Sequence, residues 1–198
     1  MLKQATKHVN KKKEKLRKKF LILRKKKFFD VSKKQLQPLI SYIKQKKKIK
    51  KKFLIAFYYP SNYEINVLKI MKYLKKMDIV SLLPIIKNRN ELEFASWNEK
   101  DILKVNNFGI PEPIKQSKLY FPDILLVPLL AFDKYKNRLG YGKGYYDKYL
   151  NHAIKHNNQL DVIGIAFSFQ KYKKLPISPH DYKLSKVFTE KGFIKWNF

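Results

Sequence analysis

LLVPLLAFDKYKNRLGYGKGYYDKYL, residues 125–150, is the stretch that sets the fold. It opens on a continuous apolar run, which suits a strand buried on both faces. Proline is poorly tolerated inside a sheet. The strand over 122–133 is therefore expected to end near Val127, with Pro128 opening a loop. The chain has six glycines, and Gly140, Gly142 and Gly144 alternate within RLGYGKGYYD, Arg138–Asp147. From Tyr145 to about His156 the pattern becomes helical. Strand, glycine loop and helix in that order put the loop at the carboxyl edge of a parallel sheet, where ligands bind.

The flanking sequence repeats this alternation. FLIAFYY (53–59), ended by Pro60, DIVSLLPII (78–86) and LDVIGIAFSF (160–169) read as further buried strands, and HDYKLSKVFTE (180–190) as a turn with a short last strand. Leu16, Phe20 and Leu23 give residues 8–29 one apolar helical stripe. Ser32 is placed to cap a second helix through Lys47, with Pro38 in its first turn or at a kink. PSNYE (60–64) has helix-start chemistry, and Ile65, Leu68 and Met71 follow at helical spacing. FASWNEKDILKVNNFGIPEP (94–113) reads as an irregular surface loop. The expected fold is α/β: a single three-layer α/β/α domain with a mostly parallel, Rossmann-like sheet.

Composition narrows the chemistry. The chain of 198 residues has no cysteine, which excludes a disulfide scaffold, a thiolate metal site and a cysteine nucleophile. No apolar run approaches a membrane span. FLIL (20–23) is too short for a secretory signal, and the first helix is dominated by lysine where a transit segment favours arginine and serine, so the cytoplasm is expected. A formal charge of +30 raises nucleic acid as a partner. Yet the only arginines are Arg17, Arg24, Arg89 and Arg138, whereas surfaces that grip phosphate or read bases favour the arginine fork. Solvated lysine from coding bias and non-specific polyanion affinity both remain open.

The glycine stretch has the makings of a polyphosphate cradle. Glycine admits positive φ and close ligand approach, successive amides form an anion nest, and the following helix adds its positive end. Arg138 and Lys143 add charge. A tight turn with no ligand is the alternative. The two familiar cradles do not match: Lys143 is followed by Gly144 and Tyr145 rather than the Ser or Thr of a Walker loop, and Tyr145 stands where GxGxxG needs its last glycine. Asp147 is the nearest carboxylate for a phosphate-bound magnesium, with Asp133 and Asp181 as others. A residue like Asp147, early in a helix, also simply stabilises the dipole.

The stretch 125–150 resembles the signature of the 5-formyltetrahydrofolate cyclo-ligase family. KEKLRKKFLILR (13–24), FYYPSNYEI (57–65), FGIPEP (108–113) and PHDYKLS (179–185) agree in order, so the resemblance spans nearly the whole chain, taken as one cyclo-ligase domain over 1–198. It implies an ATP- and Mg2+-dependent closure of 5-formyltetrahydrofolate to 5,10-methenyltetrahydrofolate. The formyl oxygen is phosphorylated, N10 attacks the activated carbon, and phosphate leaves with ADP as the other product. The resemblance implies ATP contacts from Lys13, Glu14, Lys15, Leu16 and Arg17 and from Arg138, Leu139, Gly140, Tyr141, Gly142, Lys143, Gly144, Tyr145 and Tyr146. Lys143 and Arg138 are then the catalytic cations. Folate contacts fall to Tyr59, Glu64, Tyr141, Gly142, Lys143, Gly144 and Tyr145, with Trp97 at the folate side, and magnesium falls to Asp147 and Asp181. A monomer with no specific nucleic-acid partner is expected. Leu129 and Lys148 depart from the family pattern, which usually has glycine and often arginine there; neither removes a phosphate or metal group.

Overall fold

The computed structural model describes residues 2–75, 77–87, 91–114, 120–156 and 159–196. In chain order the elements are helices α1 (Leu2–Lys27) and α2 (Lys33–Lys47), strand β1 (Phe53–Ala56), a 3-10 turn (Val67–Ile70) running into the short helix α3 (Met71–Leu74), and strands β2 (Ile79–Lys87), β3 (Glu91–Ser96), β4 (Leu103–Val105), β5 (Pro111–Pro113), β6 (Ile124–Pro128), β7 (Ala131–Asp133) and β8 (Arg138–Leu139). Helix α4 (Tyr145–His156) and strands β9 (Asp161–Ile165), β10 (Lys171–Tyr172), β11 (Lys186–Thr189) and β12 (Gly192–Phe193) complete the chain.

Seven strands form the main sheet in the order β12-β11-β9-β6-β1-β2-β3. The five inner strands are parallel, and β3 and β12 close the edges antiparallel. Side chains alternate across a strand, so a strand covered on both faces must be apolar throughout. β6 shows this directly. Ile124 and Leu126 join one core with Leu36, Leu39, Ile40 and Ile43 of α2 and Ile70 and Leu74 beside them. Leu125 and Val127 join the opposite core with Leu150 of α4. The result is the expected three-layer α/β/α, Rossmann-like single domain.

Several local expectations need correction. The helix after Ser32 is closed by a capping box, with Gln35 as the reciprocal partner, but Pro38 lies in its second turn. Residues 94–113 are only partly irregular, with 97–102 and 106–110 outside regular structure. Phe94–Ser96 completes β3, whose ladder with β2 extends over six pairs, and β4 and β5 form a hairpin. The prolines of β5 are tolerated because that strand is an edge. The apolar run at 122–133 divides at Pro128 into β6 and β7, and β9 ends at Ile165. β12, a two-residue edge strand, escaped the pattern search.

The correction at Pro128 matters for the site. β7 pairs antiparallel with β8 and parallel with β10, so the glycine stretch follows a small secondary sheet rather than a core strand. Asp133, fully buried, organises that excursion: it accepts from the amides of Tyr135, Asn137 and Leu175 and from Asn137 Nδ2, all at 2.9–3.0 Å. It has no capacity left for magnesium. The main chain leaves β1 toward β2 on one side and β6 toward β9 on the other. The crevice between β1 and β6 is therefore the topological switch point.

Helix α1 lies along this crevice. Lys13, Arg17, Phe20 and Arg24 fall on one stripe by spacing. Phe20 packs with Leu130, Ala131, Leu139 and Leu175, which pins the helix to the small sheet. Arg17 Nε donates to the Gly140 carbonyl at 3.0 Å. Gly142 (φ +98°) and Gly144 (φ +73°) adopt the left-handed conformation, and Gly144 O accepts from Lys148 N at 3.0 Å to begin α4. A Cβ on Gly142 would lie 2.9 Å from Arg17 Cζ, while one on Gly140 would meet nothing within 4 Å. Gly142→Ala is therefore expected to cost about 1–3 kcal/mol through strain and collision. Gly140→Ala should stay within about 0.5 kcal/mol of the parent. Thermal unfolding of the pair checks this; equal losses at both positions would contradict the geometry.

Candidate active site

A cavity of about 510 Å3 occupies the switch point. One wall is Asn10, Lys13 and Arg17 of α1 together with every residue from Arg138 to Asp147. The facing wall is Tyr58, Tyr59, Ser61, Asn62 and Glu64, which follow β1. Pro84, Ile86 and Leu92 of the β2–β3 ladder supply apolar lining, and Phe108 and Ile110 stand in the turn between β4 and β5. A cationic, amide-rich wall thus faces an aromatic one.

On the cationic side, charges are paired in two sets. Lys13 Nζ bonds Asp181 Oδ2 at 2.5 Å and Ser178 Oγ at 2.9 Å. Asp181 Oδ2 also accepts from the Ser178 amide at 2.7 Å. Arg138 spends its fork on the Tyr182 carbonyl (2.5 Å) and Asp147 Oδ1 (2.6 Å), and Asp147 Oδ1 accepts again from Tyr182 N at 3.0 Å. Burial lowers the Arg138 pKa, and Asp147 and Asp181 oppose that shift; a guanidinium stays charged at neutral pH regardless. Arg138 thus lines the cavity with one donor of each terminal nitrogen already given to the protein. It anchors Asp147 and the 182 segment. Lys143 is exposed, with its ammonium 5.5 Å from the Phe108 ring centroid.

Asp147 Oδ2 and Asp181 Oδ1 accept no hydrogen bond from a described residue. Among the described residues no three carboxylates or histidines gather closely enough to hold a metal alone. The donor set fits magnesium only as a partner of bound phosphate, which supplies further oxygen ligands.

On the facing wall, Glu64 is not in the first turn of a helix. Glu64 N donates to Ser61 O at 3.0 Å, and Asn62 (φ +48°) and Tyr63 (φ +63°) both take the left-handed conformation. That is a type I′ turn, unfavourable for tyrosine, and it ends three residues before the 3-10 turn begins. The turn carries Glu64 into the cavity. Its Oε2 accepts from the Ser61 amide at 2.8 Å, and its Oε1 accepts from the Tyr141 hydroxyl. Burial raises the Glu64 pKa above the ordinary carboxylate range, and Arg24, Tyr141 and Ser61 pull it back only in part.

Most of the expected residues meet in this one cavity: Lys13, Arg17, Tyr59, Glu64, the whole run Arg138–Tyr146, Asp147 and Asp181. Glu14 and Lys15 do not; they are exposed on other faces of α1. Leu16 also lies off the cavity and packs against the Phe20 cluster. Helical rotation separates the three from the stripe of Lys13 and Arg17. Trp97 is buried in the core behind α2, and its indole N–H donates to the Asp101 carbonyl at 3.2 Å, so it does not border the cavity. The sequence reading passed over Ser178, whose role is a turn contact, and Phe108, which sat in view within FGIPEP. It also missed Arg24, although its spacing of seven from Arg17 marks the same helix face.

Known proteins resemble this chain in sequence and fold. The model of the 5-formyltetrahydrofolate cyclo-ligase family matches residues 9–190. The 5-formyltetrahydrofolate cyclo-ligase of Mycoplasma genitalium is 33% identical over 175 residues, 85% of this chain and 93% of that protein. The Escherichia coli protein of the same name is 28% identical, over 72% of this chain and 80% of its own. The solved 5,10-methenyltetrahydrofolate synthetase of Aquifex aeolicus superposes with a TM-score of 0.71 at 28% identity, covering 94% of this chain and 93% of that one. That of Mycoplasma pneumoniae gives 0.67 at 29% identity, over 88% and 96%. With the match extending across the sheet, the glycine loop and the cavity walls, this chain belongs to the 5-formyltetrahydrofolate cyclo-ligase family of ligases.

Proposed function

We propose that this enzyme closes 5-formyltetrahydrofolate to 5,10-methenyltetrahydrofolate with ATP and magnesium, releasing ADP and phosphate. The observation that carries the reading is the two-sided cavity: an amide- and cation-lined loop on one wall, aromatic rings and a buried carboxylate on the other. A formamide oxygen is a poor leaving group. Transfer of a phosphoryl group to it, attack by N10 on the carbon and departure of phosphate solve that problem without a protein nucleophile, consistent with a chain that has no cysteine.

In this reading the residues work by position and charge. The amides of Gly140–Gly144 cradle the phosphates, and Arg17 and Lys13 border them from α1. Lys143 is free to swing its charge onto the transferring group. Arg138 acts at one remove, holding Asp147. Asp147 and Asp181 offer their remaining oxygens to magnesium, which would neutralise phosphate charge. Glu64 accepts from the donor edge of the pterin, and Tyr59 and Tyr145 supply ring faces. The same reading takes the enzyme as a cytoplasmic monomer that binds nucleic acid only non-specifically and in a salt-sensitive way.

The direct test is absorbance of the methenyl product. It should appear only with 5-formyltetrahydrofolate, ATP and magnesium together, and its appearance without ATP overturns the mechanism. Lys143→Ala is expected to lose about tenfold or more in kcat with little change in either KM, the signature of a contact made in the transition state. Asp147→Asn should raise the magnesium concentration needed for half-maximal rate; an unchanged requirement reduces Asp147 to a helix-start residue. Ionised Glu64 offers only acceptors to the pterin's donor edge, whereas protonation turns one oxygen into a donor, and its raised pKa means it takes up a proton earlier than a free carboxylate as pH falls. The rate kcat/KM should therefore drop on the acid side with a midpoint above the ordinary glutamate range. Glu64→Gln should abolish that acid limb and lower the plateau about 10–100-fold.

A further inference from the structure

Arg24 is among the most buried side chains in the molecule, at 1% exposure, and it belongs to the same α1 stripe as Lys13 and Arg17. Its Nη2 donates to the Tyr141 hydroxyl at 2.5 Å and its Nη1 to the Leu129 carbonyl at 3.3 Å. Nη1 also lies 4.0 Å from Glu64 Oε1. Its Nε–H has no hydrogen-bond partner among the described residues. A buried guanidinium with an orphan donor is poor stabilising architecture, since desolvation is costly and only partly offset. Its position therefore asks for another explanation.

The chemistry of the three groups supplies one. A guanidinium has donors and no acceptor, so the Tyr141 oxygen must accept from Arg24. The tyrosine proton is then directed to Glu64, as the hydrogen bond between them requires. We propose that Arg24 is a positioning residue for the folate subsite: it fixes the Tyr141 hydroxyl as a donor to Glu64 and so holds that carboxylate as an oriented acceptor. Because Tyr141 stands between Gly140 and Gly142, the same relay ties the pterin-side carboxylate to the phosphate-side loop. This rests on the functional reading given above.

The other groups facing Glu64 do not replace Arg24. Ser61 bonds the opposite oxygen, Oε2. The Tyr58 hydroxyl is committed to the Ile65 carbonyl at 2.7 Å. Tyr146, from α4, is a neutral neighbour whose own ionisation burial and Glu64 suppress. Among the described residues, Arg24 is the cation whose charge most favours the ionised form of Glu64.

The experiment compares Arg24→Met, Arg24→Lys and Tyr141→Phe by steady-state kinetics across pH, following the methenyl product. Arg24→Met should raise KM for 5-formyltetrahydrofolate about tenfold or more. It should leave KM for Mg-ATP within about threefold and move the acid limb of kcat/KM to higher pH, because Glu64 loses the cation that favours its ionised form. Arg24→Lys, which keeps the charge, should hold the limb near its wild-type position. Tyr141→Phe breaks the relay without stranding a charge and should raise the folate KM in the same way; it decides the matter if Arg24→Met does not fold. An unchanged folate KM and acid limb, or equal losses toward folate and Mg-ATP, overturns the role of Arg24. A wild-type enzyme that forms no product removes the functional reading itself, whereas an active wild type with an unaltered variant profile removes only this inference.

Discussion

A loop of alternating glycines has no shape of its own. Glycine loses more conformational freedom on ordering than any other residue, so something outside the loop must hold it. Here that support is the contact between α1 and the backbone at 140–142. Arg17 donates to Gly140 O, and its guanidinium fills the space beside Gly142 that a Cβ would take. The contact needs the missing side chain at Gly142, and it fixes the loop together with the bonds of the Tyr141 hydroxyl to Arg24 and Glu64 and of Gly144 O to Lys148 N. Phe20 fixes the helix to the small sheet, Lys13 reaches the 178–181 turn, and Arg24 reaches Tyr141. One helical stripe thus sets the register of three segments distant in sequence.

That dependence explains what was legible in the sequence and what was not. The layered fold was readable because continuous apolar runs such as Ile124–Val127 have one physical solution, burial on both faces of a sheet. The glycine loop and its carboxylates were readable because few residue types tolerate that backbone or hold phosphate and metal. The direction of the side chains on α1 was not. Lys13 through Arg17 form a run in the sequence, yet rotation of about 100° per residue sends Glu14, Lys15 and Leu16 away from the cavity. Nor could composition show that Arg138 donates to Tyr182 and Asp147. A tertiary partner 44 residues away decides that. The β7–β8 excursion was hidden in the same way, because its organiser, Asp133, offered an equally good reading as a metal ligand until its four donors were known.

The net charge of +30 and the site's electrostatics are separate matters. At the cavity, cations come with carboxylates attached: Lys13 with Asp181, Arg138 with Asp147, Arg24 beside Glu64. Pairing of this kind fixes geometry and leaves charge available at short range. The surface lysines have far fewer acidic neighbours and raise the potential everywhere, which favours any anion without selecting one. Selectivity must arise where the charges are held in place.

The distribution of local irregularities argues for the same location independently of any family likeness. Sequences are locally consistent except where a site demands otherwise. Of the three non-glycine residues with positive φ among the described residues, Asn62 and Tyr63 form the turn that carries Glu64 into the cavity; Lys136 lies in the adjoining β7–β8 turn. The buried carboxylate with a raised pKa is Glu64. The buried arginine with an unpartnered donor is Arg24. Elsewhere the picture is mixed: the Ser32 capping box and the four donors on Asp133 are fully satisfied, while Glu93 Oε2, the Tyr149 hydroxyl and Trp196 Nε1 are buried without a partner among the described residues. Strained backbone and incompletely compensated charge are costs that selection removes unless the arrangement is used. The strained turn and the raised carboxylate lie on one wall of the crevice, and Arg24 stands behind the other through Tyr141, which supports the reading that a loop suited to phosphate faces a carboxylate held as an acceptor.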